Sequence, residues 1–196
     1  NSGHVRIYKY TNSSWSQIGT DTDGEVSSDE SGFSVALNAD GMTLAIGAPY
    51  NDGGGSNSGQ VKVYEVPTVT NTTYNYNVTM ATEINKYTFD TTNITVPVNS
   101  ELSSDAPSLA SVSGTTLTLA STTSSSSGTF SLAHPLIQLG ADIDGSNNDD
   151  NFGNAVSLSA DGTIMAVGAW HYYGGTLFAG QVNIYKYSSG SWSQLG

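Results

Sequence analysis

Residues 19–64 read GTDTDGEVSSDESGFSVALNADGMTLAIGAPYNDGGGSNSGQVKVY, and residues 140–185, 121 positions on, read GADIDGSNNDDNFGNAVSLSADGTIMAVGAWHYYGGTLFAGQVNIY. Aligned without a gap, 20 of the 46 positions are identical. A third, partial copy opens the chain: SGHVRIYKY at 2–10 matches AGQVNIYKY at 179–187. Repeats of this size stack or ring, because no single unit buries its core alone. The expectation is a piece of a scaffold or adhesive surface, not a compact catalyst.

Helical periodicity is nowhere present, whereas alternating apolar positions with β-branched and aromatic residues recur between Gly, Asn and Asp clusters. The pattern predicts a four-strand unit. Strand a is 33–39, with Val35 and Leu37 on one face, and Asp40-Gly41 makes a tight hairpin turn. Strand b is 43–48, a flexible glycine-rich loop follows at 51–58, and strand c is 60–66. The second copy places a at 155–160, b at 163–169, c at 181–187 and d at 191–195, and residues 4–19 read as strands c and d of a preceding unit.

Gly3 and Gly59 are 56 residues apart, but Gly59 and Gly180 are 121 apart, so 65 residues have been added. The same offset sets Trp15 to Gly19 against Leu136 to Gly140, which makes 135–140 strand d of the middle unit. The domain reading is therefore blade repeats at 1–66, an insert at 67–134, and strand d plus a second full blade at 135–196. The insert carries six strand-like runs, at 74–81, 84–89, 94–98, 109–112, 116–120 and 129–132. They suggest a small immunoglobulin-like β-sandwich, a long glycosylated loop being the alternative. The Ser/Thr-rich stretch 121–128 reads as a hairpin tip. The predicted class is all-β: about two and a half four-stranded, propeller-like blades interrupted by a small sandwich.

Ile46-Gly47-Ala48-Pro49 with Gly32, Phe152-Gly153 in the second copy, and Ser58-Gly59-Gln60-Val61-Lys62-Val63-Tyr64 together resemble the FG-GAP repeats of integrin-α-like β-propellers. The resemblance covers about 1–66 and 135–196. It implies a ring of four-stranded blades used for adhesion and ligand binding rather than catalysis. That family often carries an Asp-rich calcium loop between strands a and b. Here the hairpin is only Ala39-Asp40-Gly41 or Ala160-Asp161-Gly162, with too few oxygens, so that site is not carried over. A closed propeller needs about four to eight blades. The missing ones are expected from further tandem repeats or from self-association of copies, the chain stopping at the phase where it began.

Seventeen acidic residues against five basic ones leave a net charge of −12. Nucleic acid and anionic membrane surfaces are poor partners for such a chain, and no apolar run approaches membrane-spanning length. Ser and Thr supply about a quarter of the residues and cysteine is absent. That composition suits an extracellular β-protein stabilised by size, repetition or metal instead of disulfides. Arg6, Lys9, Lys62 and Lys186 all fall on strand c, where charge is expected to discourage edge pairing.

The acidic d-to-a loops are the candidate metal ligands: Asp21, Asp23 and Asp29, matched by Asp142, Asp144 and Asp150. Alternating Asp and Gly at a turn can wrap oxygens round Ca²⁺, and equally can cap backbone N–H groups. Asn12, Asn71, Asn77 and Asn93 open N-glycosylation sequons. Trp170, His171, Tyr172 and Tyr173 replace Pro49-Tyr50-Asn51-Asp52 and form a candidate contact for a glycan, a surface protein or another subunit. Trp15 and Trp192 are expected to pack on a neighbouring strand. His4, His134 and His171 lack motif partners, and no nucleophile elbow occurs, so no enzyme is expected. The leading expectation is an extracellular structural or adhesive repeat protein, the building block of a filament or surface array. The alternative is a carbohydrate- or protein-binding module.

Overall fold

A computed structural model describes residues 1–67, 72–78, 87–88, 101–102, 110–113, 116–119, 126–172 and 179–196. Among them are strands and turns but no helix. Two strands open the chain, β1 (His4–Thr11) and β2 (Ser14–Asp23), joined as a hairpin. Asn12 and Ser13 both adopt positive φ, 50° and 63°. That is the mirror-image turn whose twist suits a two-residue hairpin loop.

The first full repeat is β3 (Ser34–Leu37), β4 (Thr43–Ala48) and β5 (Gln60–Glu65). The chain then passes through β6 (Thr72–Val78), β7 (Tyr87–Thr88), β8 (Glu101–Leu102), β9 (Ala110–Ser113), β10 (Thr116–Leu119) and β11 (Ser126–Ala133). It returns to the same sheet as β12 (Ile137–Gln138) and β13 (Ile143–Asp144), both antiparallel to β5. Strand d is thus interrupted and runs past the expected end at Gly140. The last repeat, β14 (Phe152–Leu158), β15 (Ile164–Ala169), β16 (Gln181–Ser188) and β17 (Ser191–Gln194), is a four-stranded antiparallel sheet in sequence order. Strand β14 begins at Phe152, earlier than expected, because a bulge between Phe152 and Ala155 lets it stay paired with β15.

The inserted strands form two three-stranded antiparallel sheets, β7-β10-β9 and β6-β11-β8. Ser126, Ser127 and Gly128 pair with Val78, Asn77 and Tyr76, so that end of the expected hairpin tip is strand. The expected run at 94–98 and residues 121–125 lie outside the described residues. Two compact units result: residues 1–6, 21–68 and 136–196 in one, 7–20 and 69–135 in the other.

Within the first unit the core is Ala45, Val61, Val63, Phe152, Met165, Val167, Ala169 and Tyr185. These are the inward positions of β4, β5, β14, β15 and β16, as period-two alternation requires. Leu139, Ile143, Val156, Leu158 and Trp192 pack on it from the sides. The Phe152 ring meets Tyr185 edge-on, centroids 6.1 Å apart. Burial of each large side chain contributes about 1.5–3 kcal/mol. Lys62 and Lys186 lie on β5 and β16, which are paired on both sides. Their charge therefore guards no edge, contrary to expectation.

Candidate functional site

The feature with the most specific geometry is the joint between successive repeats. Gly145 N–H donates to the Gly59 carbonyl (2.8 Å) and Phe152 N–H to the Ser58 carbonyl (2.9 Å). Fifty-six residues back on one side and 121 on the other, the same pair recurs. Gly24 N–H donates to Gly3 (2.9 Å) and Ser31 N–H to Ser2 (2.9 Å). Parallel bridges Gly3↔Ser31 and Gly59↔Phe152 complete each joint. Glycine is required by the approach itself: a Cβ on Gly59, whose φ is +83°, would lie 2.1 Å from the Phe152 carbonyl oxygen.

The second joint extends into the sheets. Ser34 Oγ donates to the Gly153 carbonyl at 2.7 Å. A Cβ on Gly47 would lie 2.0 Å from that same oxygen. Ala39 N–H donates to the Ala160 carbonyl (3.1 Å), so the two a–b hairpins also meet. The glycine-rich loop 51–58 carries hydrogen bonds of its own. Gly53 N–H donates to Asn51 Oδ1 (2.8 Å), Gly54 N–H to Ser58 Oγ (3.1 Å) and Asn57 N–H to Asp52 Oδ1 (2.8 Å). Three glycines lower the steric barrier to folding this loop against Gly145 and Asn148. Sequence reading missed this because it weighs flexibility, not docking.

Five of the six candidate calcium ligands accept from protein donors, and Asp23 lines a small cavity. Asp21 Oδ2 accepts from Arg6 Nε (2.8 Å) and Nη2 (2.7 Å). Asp144 Oδ1 accepts from Gln60 Nε2 (3.0 Å), and Asp142 from Gln138 Nε2 (2.6 Å). Asp29 and Asp150, at equivalent positions, are buried. Asp29 Oδ2 accepts from Val26 N–H (3.0 Å) and Asn51 Nδ2 (3.1 Å). Asp150 Oδ2 accepts from Asn147 N–H (2.9 Å) and Nδ2 (3.1 Å). Tyr172 replaces Asn51 in the second copy, and Asp150 Oδ1 is buried without a hydrogen-bond partner among the described residues. Asp29 and Asp150 thus cap turns through backbone N–H groups, whereas Asp21, Asp142 and Asp144 take side-chain donors. Among the described residues no three His, Cys, Asp or Glu side chains converge to hold a metal ion.

Beside the first joint, Lys62 Nζ pairs with Glu25 and stands 3.5 Å from Asp142. Burial alone would lower the Lys62 pKa, but the Glu25 hydrogen bond and the Asp142 and Glu25 charges outweigh it, so the net displacement is upward. Burial raises the neighbouring Tyr64, with Lys62 pulling the other way. A cavity of about 10 Å³ is lined by Asp23, Glu25, Asp29, Gln60, Lys62 and Tyr64 among others. That is room for about one water molecule, not for an organic substrate. No motif in the sequence announces the Glu25–Lys62 pair; only the fold brings β5 to that loop.

Trp170 is exposed and its ring stacks at 3.5 Å from that of His171, tilted by 36°. Tyr172 instead packs on the core, and Tyr173 lies outside the described residues. Trp15 contacts Tyr10 (5.2 Å) and Trp192 contacts Tyr187 (5.1 Å), each on the neighbouring strand as expected. Trp192 Nε1 also donates to the Leu139 carbonyl (2.9 Å). Asn12 is exposed on its turn and Asn77 sits on β6, while Asn71 and Asn93 lie outside the described residues. No helix among the described residues is long and apolar enough to cross a membrane. Residues 16–64 match the sequence profile of the FG-GAP repeat family. A comparison with curated proteins finds no match to this chain.

Proposed function

We propose that the chain is a non-enzymatic, extracellular structural or adhesive repeat module that builds a filament or surface array by stacking blade on blade. The observation that carries the reading is the joint made twice with equivalent atoms, Gly24 and Ser31 on Ser2-Gly3, and Gly145 and Phe152 on Ser58-Gly59. A contact that repeats with the sequence can be added again, and a heterologous contact that does not close makes a fibre. The FG-GAP match at 16–64 supports the adhesive setting, and the exposed Asn12 suits an N-linked glycan on a secreted surface. The test is light scattering with negative-stain imaging of the purified chain. Concentration-dependent linear or annular assemblies are expected; a monodisperse monomer at every concentration refutes the reading.

A second reading rests on Trp170, more than half exposed and stacked on His171. An aromatic pair at a loop tip is a platform for a sugar face or a partner protein. Trp170→Ala should then abolish glycan or partner binding; a glycan array unchanged by the substitution counts against it.

A further inference from the structure

We propose that a second copy of this chain docks on the open face of β14, β15 and β16, presenting its own β3. The proposal rests on the self-association read above and names the surfaces that do it. One internal joint is complete and shows what such a face requires. There, Val61 is fully buried, Gly47 lies against Gly153, and Val156 and Leu158 of β14 pack on the core containing Ala45, Val61 and Val63. The equivalent acceptor positions 121 residues on are Ala166, Val182 and Ile184, with Gly168 for Gly47. Val182 is 66% exposed. A Cβ on Gly168 would meet nothing closer than Ala155 Cβ at 3.6 Å. A concavity of about 380 Å³ lies here, lined by Ala155, Gly168, Trp170, Gly180 and Val182 among others.

The complementary half is also present and uncovered. Val35 and Leu37 on β3, the counterparts of Val156 and Leu158, are 53% and 51% exposed, and Phe33 beside them is 54% exposed. One apolar row and one apolar concavity on the same chain thus correspond to the two sides of a contact the chain already makes once. Two different surfaces meeting in this way give a head-to-tail interface. In the first joint, residues 1–6 hold the loop before β3 through strand c alone. Docking of a whole blade therefore places residues 179–187 of one copy where 2–10 of the other lie. The two segments share Gly, Val, Ile, Tyr, Lys and Tyr at matched positions, so the exchange substitutes like for like and adds the contacts of two further strands.

Gly168→Val and Leu37→Asp test the two sides separately. Neither should disturb the monomer: the first side chain begins at a Cβ no closer than 3.6 Å to Ala155, and the second stands on an exposed position. Each is expected to raise the concentration for half-assembly at least tenfold with an unchanged thermal transition. Asp23→Cys and Gln181→Cys variants, mixed with a short bis-maleimide, should give a covalent dimer that neither gives alone. They stand where Asp144 and Gln60 hydrogen-bond at 3.0 Å in the complete joint. The chain has no other cysteine. Assembly unaltered by both substitutions, with no cross-linked dimer, overturns this interface and leaves self-association standing by another surface. An unsubstituted chain that never assembles overturns both.

Discussion

Gly47→Ala adds one methyl group and should be among the most damaging small changes available to this chain. The new Cβ would stand 2.0 Å from the Gly153 carbonyl oxygen and 2.4 Å from Ser34 Oγ. Ser34 Oγ can rotate away, but the contact with the Gly153 backbone is relieved only by separating β4 from β14. Overpacking of a fitted interior costs about 1–3 kcal/mol. Displacing Gly153 also breaks the 2.7 Å bond from Ser34 Oγ, worth about 0.5–1.5 kcal/mol. The sum is about 3 kcal/mol, or a fall of about 6–12 °C in Tm for a chain of this size. Gly168→Ala is the matched control, because it occupies the same place in the other repeat but meets only a 3.6 Å contact. It should be neutral or slightly stabilising, by up to about 1 kcal/mol through the unfolded state. Both are measured by thermal and urea unfolding at protein concentrations below assembly. A Gly47→Ala protein within about 0.5 kcal/mol of the parent, or equal losses from both substitutions, would refute the argument that the joint, not the strand, demands glycine.

Lys62→Met should destabilise by about 1 kcal/mol, discounted because the Glu25 partner is half exposed. Since the folded pKa of Lys62 is raised, its contribution is complete below the ordinary lysine pKa and disappears as pH rises through the folded value; alkaline unfolding of the parent and the variant should show the difference. Burial lowers the His134 pKa, so the unfolded chain binds the proton more readily. Stability is therefore full above the ordinary histidine value of about 6.5 and declines as pH falls from there toward the folded value; His134→Gln should flatten that slope in unfolding titrations between neutral and mildly acid pH. Calcium or a chelator should leave Tm unchanged in differential scanning, because the loop carboxylates already accept from Arg6, Gln60, Gln138, Asn51 and Asn147.

Much of the architecture is legible in the residues. Alternation places β4 and β16 where they are found, and the repeat offset shows that β12 belongs beside β5 across an insert. Turn residues signal their own geometry at Asp40-Gly41, where Gly41 takes a φ of +75° and Asp40 Oδ1 accepts from Met42 N–H at 2.9 Å. The second segment of strand d, β13, was not legible, because Gly140 and Asp142 read as a loop and only pairing with β5 makes Ile143–Asp144 a strand. The roles of the acidic residues were not legible either. Asp alternating with Gly serves a metal or a turn equally well, and the side-chain partners of Asp21 and Asp144 are ones that only the fold brings near.

The sequence by itself determined that the same strand order comes round again, and it marked the glycines that recur at 3, 59 and 180. It could not say which copies of a residue are covered. Val61 and Val182 sit in the same Gly-Gln-Val context, yet one is fully buried and the other 66% exposed. Gly47 is pressed against Gly153, whereas a Cβ on its counterpart Gly168 would meet nothing closer than Ala155 Cβ at 3.6 Å. Local conformation is set by neighbours along the chain, which the repeats share. Burial is set by neighbours across space, and it is the tertiary structure that lays β14 over the Val61 face.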